Sequence, residues 1–235
     1  MKLYIEKYPD DICRYNQFMD MDAIFLSLKL ALWTLVLILP FGVWVAHSLQ
    51  KLGKSKSWIE ASLALPLVLP PTVLGYYLLV GLGGKSILGV PLVFSFTGIL
   101  IASLIVNLPF AIQPIQRAFE AINPEIIEAA QVSGLSNWQI FRLIELPLAW
   151  RGITSAAVLT FAHTLGEFGV VLMVGGAIPG ETKTVSIAIY DKVQSFDATG
   201  AGSLSLLLLA ISLVAIAISY GIFGQNPSRQ KRWRV

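Results

Sequence analysis

Five apolar runs of membrane-crossing length constrain this chain more than any other feature: residues 23–48, 58–82, 94–119, 148–175 and 203–223. A helix needs roughly 20 apolar residues to cross hydrocarbon about 30 Å thick, and each run supplies that length. Lipid offers no partner for backbone N–H and C=O groups, so a run must satisfy them internally as a helix, or the chain must close into a barrel. A barrel would be written as segments of about ten residues alternating apolar and polar, and no such alternation is visible. The expectation is an all-α integral membrane protein with about five spans, or six.

Composition agrees. Hydrophobic residues make up 55% of the 235 and charged residues only 13%, with a mean hydropathy of +0.71, which leaves too little polar surface to coat a soluble globule. The net charge of +3 is spread over short polar segments without an arginine-rich or aromatic-interleaved patch, so nucleic acid is excluded as a partner and the lipid bilayer is expected in its place. The single Cys13 and two histidines exclude a His/Cys metal cluster, and neither a metal nor any other cofactor is expected on this chain. Glu6, Asp10, Asp11, Asp20 and Asp22 precede the first run, unlike the basic start of a cleaved signal peptide, so the run reads as a retained span.

Orientation follows from the distribution of Lys and Arg over short loops. One set of loops holds ten: Lys51, Lys54, Lys56, Arg117, Arg142, Arg151, Arg229, Lys231, Arg232 and Arg234. The other holds six: Lys2, Lys7, Arg14, Lys85, Lys183 and Lys192. With five spans this bias places the C-terminus in the cytoplasm and the N-terminus outside. The expected organisation is an extracytoplasmic tail (1–22), one transmembrane domain (23–224) containing a cytoplasmic loop (118–147), and a basic cytoplasmic tail (225–235).

Prolines interrupt two runs. Pro66, Pro70 and Pro71 fall in the second and Pro109 and Pro114 in the third, each removing a backbone donor and disturbing the turn before it. Both helices are expected to be kinked or partly unwound, either as bends between packed helices or as broken helices beside a transport pathway. Gly98 and Ala102 have the spacing of a close helix contact.

The loop between the third and fourth runs is the most informative segment. Asn123 can cap a helix that opens with Pro124 and carries Glu125 in its first turn. Gly134 provides a left-handed stop, and Ser136 with Gln139 forms a capping box for a second helix running up to Pro147. Ile126, Ile127 and Ala130 mark the apolar face of the first helix, and Ile140, Phe141 and Ile144 that of the second. Two such helices suit docking into a groove on another protein. A helix lying on lipid would carry more Lys and Arg on its polar face.

Glu128-Ala129-Ala130, Gly134 and the later Ile144-x-Leu146-Pro147 resemble the full signature of prokaryotic ABC importer permeases. The stretches 161–191 and 69–77, within a similarity of about residues 22–224, resemble molybdate permeases, while sulfate permeases share the Gly166-Glu167-Phe168-Gly169 core. The resemblance implies the ABC importer permease fold in the cytoplasmic (inner) membrane and import of molybdate, or tungstate, which has the same charge and nearly the same size. It implies that Glu128, Ala129, Ala130, Gly134, Ile144, Leu146 and Pro147 form the coupling element against a cytoplasmic ATPase dimer. It further implies a second copy of the permease and an extracytoplasmic oxyanion-binding protein. ATP and Mg would then sit on the partner ATPase, and this chain would not be an enzyme. Gly84-Lys85-Ser86 looks like the end of a phosphate-binding loop, but Leu79 occupies the position of its leading glycine.

Polar residues inside the runs are candidates for the translocation pathway: Thr72, Ser103, Asn107, Thr160, His163, Thr164 and Glu167. His163 and Glu167 are four apart on one expected helix face, as a structural pair or a pathway lining, with Lys29 a candidate partner for Glu167. The hydroxyls and amides are equally the groups that tie helices together. A sulfate or other oxyanion permease is the nearest alternative. A secondary transporter, working without ATP, would need all its coupling machinery in this chain, and an intramembrane enzyme would need more than a His-Glu pair; neither accounts for the two-helix loop.

Overall fold

A computed structural model describes residues 9–53, 55–83 and 92–223, which are helical apart from short connections, with no strand among the described residues. Lys2, Lys7, Lys54, Lys85, the Gly84-Lys85-Ser86 turn and the basic tail 225–235 lie outside them. The first helix, α1 (Pro9–Leu49), begins well inside the expected tail, since nothing between Pro9 and Pro40 breaks a helix. Only Asp20–Leu49 of it has the length and hydropathy of a span.

The second run is broken. Helix α2 (Lys56–Val68) and α3 (Pro71–Leu82) meet at 104°, with Leu69 driven into extended backbone (ψ 138°) by the proline that follows it. The third run corrects the expectation of unwinding: α4 (Phe96–Glu120) is one unbroken helix with Pro109 and Pro114 inside it. It is clasped by α1, by α2 and by the long helix of the fourth run, which hold the disturbed turns closed.

The loop helices follow as α5 (Pro124–Val132) and α6 (Asn137–Ile140). The second does not stop at Pro147. It widens into a π turn at Phe141–Glu145 and continues as α7 (Leu146–Gly166), with Pro147 in the first turn, where a missing N–H is harmless. The fourth run then bends by 59° into α8 (Gly169–Gly175), and α9 (Val185–Gln194) leads to the last long helix, α10 (Ala198–Phe223). Three helices qualify as spans, or five when each bent pair counts as one.

The core is the seam of α4 with α1 and α7. Ile112, Ile115 and Phe119 pack against Ala46, Leu49, Ala149 and Ala156. The helices approach so closely that a Cβ on Gly152 would meet the Pro114 carbonyl oxygen at 2.6 Å and overlap the Ala118 methyl. Gly98 accommodates the Leu92 carbonyl oxygen rather than a neighbouring helix, the closest atom a Cβ there would meet. Outward faces carry exposed large apolar side chains, including Val36, Leu206 and Val214, as a lipid-facing surface requires.

The bundle has two polar ends. At one, the last turn of α1 and the start of α2 stand beside the α5–α6 loop. At the other, Lys192 of α9 binds Asp20 of α1 at 3.0 Å and Asp197 at 3.4 Å. Asp197 also accepts the Gly200 N–H at 2.9 Å; that bond first, and Lys192 second, hold its carboxyl below the ordinary value.

Candidate functional site: a helical hairpin and a buried polar seam

The α5–α6 hairpin is assembled by local chemistry. Asn123 Oδ1 accepts the Glu125 N–H at 3.0 Å, closing the start of α5. At its end the Gly134 N–H donates to Gln131 O and the Leu135 N–H to Ala130 O, the paired closure that requires a left-handed residue. Gly134 supplies it with φ +83°. Ser136 and Gln139 form the reciprocal capping box, with Ser136 N–H to Gln139 Oε1 at 2.8 Å and Gln139 N–H to Ser136 Oγ at 3.4 Å.

Ala130 and Ile140 are buried and Ile127, Phe141 and Ile144 partly so, while Glu128, Ala129, Gly134 and Pro147 are exposed. The hairpin therefore anchors one face on the bundle and leaves the other free, where the apolar side chains of Ile126, Val132, Trp138 and Leu143 are exposed beside Glu128. Leu146 lines an apolar groove of about 590 Å³ between α1 and the hairpin.

Two anchors escaped the sequence reading. His47 Nε2 of α1 lies 2.9 Å from Glu145 Oε2 in the π turn, and its ring packs on Phe141 at 4.6 Å. Lys56 Nζ reaches Glu120 Oε1 at 2.7 Å, and Gln116 donates to both Glu120 and Glu60, joining the start of α2 to the end of α4. The i, i+4 pairs Lys56/Glu60 and Gln116/Glu120 were the available signal, but only the fold brings them together.

Six of the seven intramembrane candidates form one polar seam between α4 and the α7–α8 bend. The Asn107 amide donates to Ser103 O at 2.8 Å and to Thr164 Oγ1 at 3.1 Å, and its Oδ1 lies 3.2 Å from His163 Nδ1. Thr164 donates to Thr160 O, and the His163 ring stacks on Phe110 at 4.1 Å. The Ser103 and Thr160 hydroxyls are buried without a hydrogen-bond partner. Thr72 stands apart, exposed in the first turn of α3.

Glu167 departs from the expected geometry. Helix α7 ends at Gly166, so Glu167 sits in the bend with extended backbone (ψ 125°), not on the helix face of His163. Its Oε1 accepts the Val170 N–H at 3.0 Å and so caps α8, while its Oε2 remains 3.8 Å from His163 Nε2. Lys29 does not reach it: the ammonium lies 4.4 Å from the centre of the Phe96 ring. No group of three or more His, Cys, Asp or Glu that could hold a metal ion occurs among the described residues.

An apolar helical bundle with bent spans and an exposed helical hairpin is the architecture of an integral membrane protein, and the family it matches gives its class, a transport component. The chain belongs to the family described as binding-protein-dependent transport system inner membrane component, which matches residues 38–230. It is a multi-pass inner-membrane protein on that ground. Within the family it is 45% identical to the molybdenum transport system permease protein ModB of Azotobacter vinelandii, over 76% of this chain and 83% of that one. It is 34% identical to ModB of Escherichia coli strain K12, over 84% and 90% of the two chains. A chain of the inward-facing MetNI methionine ABC transporter superposes with a TM-score of 0.67 at 18% identity, covering 91% of this chain and 96% of that one, which shows the fold.

Proposed function

We propose that this chain is the transmembrane permease subunit of an ATP-binding-cassette importer that carries molybdate, or the isosteric tungstate, across the cytoplasmic membrane. The likeness to the two ModB permeases carries the substrate, and the Gly134-centred hairpin carries the coupling role. Five spans put the hairpin and C-terminus in the cytoplasm and the N-terminus outside, in keeping with the excess of Lys and Arg on the hairpin side. Residues 23–224 are then one permease domain, with 118–147 as its coupling loop, 225–235 a cytoplasmic tail and 1–22 an extracytoplasmic segment.

The exposed ridge of Glu128, Ala129 and Gly134 faces a separate ATPase subunit, with Ile144, Leu146 and Pro147 linking it to α7. ATP and Mg belong to that partner, a dimer, and this chain hydrolyses nothing. Its work is conformational: ATP binding selects one membrane state through contacts that differ between the states. Two permease copies enclose the pathway, an extracytoplasmic oxyanion-binding protein delivers the anion, and the seam of Ser103, Asn107, Thr160, His163, Thr164 and Glu167 stands beside its route, as does Thr72 in the first turn of α3.

The test is vanadate-sensitive molybdate uptake by proteoliposomes holding permease, ATPase and binding protein. Uptake is expected to need all three, to resist excess sulfate, and to fall at least tenfold in Gly134→Val while the subunits still assemble. Uptake by the permease alone without ATP would overturn the coupling role. Effective competition by sulfate would make the chain a sulfate permease, the reading that its Gly166-Glu167-Phe168-Gly169 core also fits.

A further inference from the structure

Helix α9 ends in the same closure as α5, but with the wrong residue for it. The Phe196 N–H donates to Val193 O and the Asp197 N–H to Lys192 O, which forces residue 196 left-handed, with φ +60°. Glycine is the usual occupant because any Cβ there crowds the following carbonyl. Phenylalanine accepts that strain and packs on little in return, since it is 94% exposed, the most exposed large apolar side chain among the described residues. Val193, one turn earlier, is 58% exposed beside it.

A strained, exposed aromatic side chain is explained by a contact outside the chain. The surroundings separate the candidates. Asp20, Asp191 and Asp197 are held in ion pairs with Lys192 and Lys183. This mixed and nearly neutral rim would repel anionic headgroups as much as attract them; among the described side chains it holds no Trp and no unpaired Lys or Arg of a lipid-facing belt, and its one exposed tyrosine, Tyr190, accepts a hydrogen bond from Gln194 at 2.7 Å. A central aromatic inside a polar rim is instead the anatomy of a protein–protein anchor. This patch is at the end of the bundle away from the hairpin, so the ATPase cannot be what covers it.

We infer that Phe196, with Val193, is an anchor by which the extracytoplasmic solute-binding protein docks, inserting into an apolar recess on that partner. The inference rests on the reading of the chain as a binding-protein-dependent permease with α9 on the outer side.

The experiment uses the complete transporter in proteoliposomes, with photoreactive benzoylphenylalanine at position 196 and, separately, Phe196→Gly and Phe196→Leu. Illumination is expected to yield a permease–binding-protein adduct. Phe196→Gly should unfold at the same temperature as wild type or higher, retain basal ATPase activity, and lose at least fivefold in stimulation by the binding protein, with Phe196→Leu intermediate. An adduct with the other permease copy or with lipid only, or full stimulation in Phe196→Gly, would overturn the anchor. Failure of the underlying reading looks different: wild type itself would then show no stimulation by the binding protein.

Discussion

The α5–α6 hairpin and the α4–α7 seam keep their shapes by opposite means. In the hairpin, backbone groups and two caps do the holding: Asn123, Gly134, Leu135, Ser136 and Gln139 bond to neighbours two to five residues away, and most side chains face outward. In the seam, side chains and the lack of them do it: Gly152 admits the Pro114 carbonyl, and Asn107 ties Ser103, His163 and Thr164 together across 57 residues of sequence. The hairpin should therefore tolerate lost side-chain atoms and fail when its backbone angle is denied, whereas the seam should fail when atoms are added.

The largest effect is expected for Gly152→Val. Its Cβ would already overlap Ala118 and the Pro114 carbonyl, and two methyls more cannot be housed without parting α4 from α7. Overpacking of this kind costs about 3 kcal/mol. Thermal unfolding of the purified permease in detergent should show a large drop in midpoint, and Gly152→Ala a smaller one; an unchanged midpoint for both would mean that the seam yields easily.

Gly134→Val comes next and reads out differently. A β-branched residue at φ +83° costs about 2 kcal/mol, yet nothing lies within 4 Å of a Cβ there, so the cost is conformational and stays in the turn. Global stability should change little while ATP-driven uptake falls at least tenfold. A destabilisation as large as that of Gly152→Val would erase the contrast between the two regions.

This contrast also explains what could be read in advance. The caps, the left-handed Gly134 and the break at Pro70 each depend on a few adjacent residues, so the sequence displays them. The π turn at Phe141–Glu145, the unbroken α4 through Pro109 and Pro114, and the end of α7 at Gly166 depend on what packs alongside, and a one-dimensional pattern does not carry that. His163 and Glu167 illustrate both halves: their spacing announced a contact, which exists at 3.8 Å, but the helix assumed to bring them together ends between them. Phe196 gave no signal at all, because no glycine marks its left-handed turn.

Asn107→Leu probes the seam from the side of lost bonds. The leucine removes both amide donations and the contact with His163 without adding much volume. Interhelical hydrogen bonds in membranes are worth about 1 kcal/mol, because the separated helices also find partners. A double-mutant cycle with Thr164→Val should give a coupling near that size by unfolding in detergent, and additivity would show that the pair merely coexists.

The smallest effect, Ser136→Ala, bears most directly on how the hairpin is built. Removing Oγ takes away the acceptor for the Gln139 N–H but leaves the Ser136 N–H bonded to Gln139 Oε1 at 2.8 Å, so half of the capping box survives. N-cap losses are worth about 1 kcal/mol, and the 3.4 Å length of the bond lost here puts this one at the low end, about 0.5 kcal/mol. Helix α6 continues through the π turn into α7, whose Ala149 and Ala156 are locked into the core, so fraying can spread only a few residues. Uptake should stay within twofold of wild type, while amide exchange in residues 137–141 speeds up and that in 124–132 does not. Faster exchange in both helices would mean that the hairpin folds as one cooperative unit, with Gly134 inside it, and not as two helices hinged at a glycine.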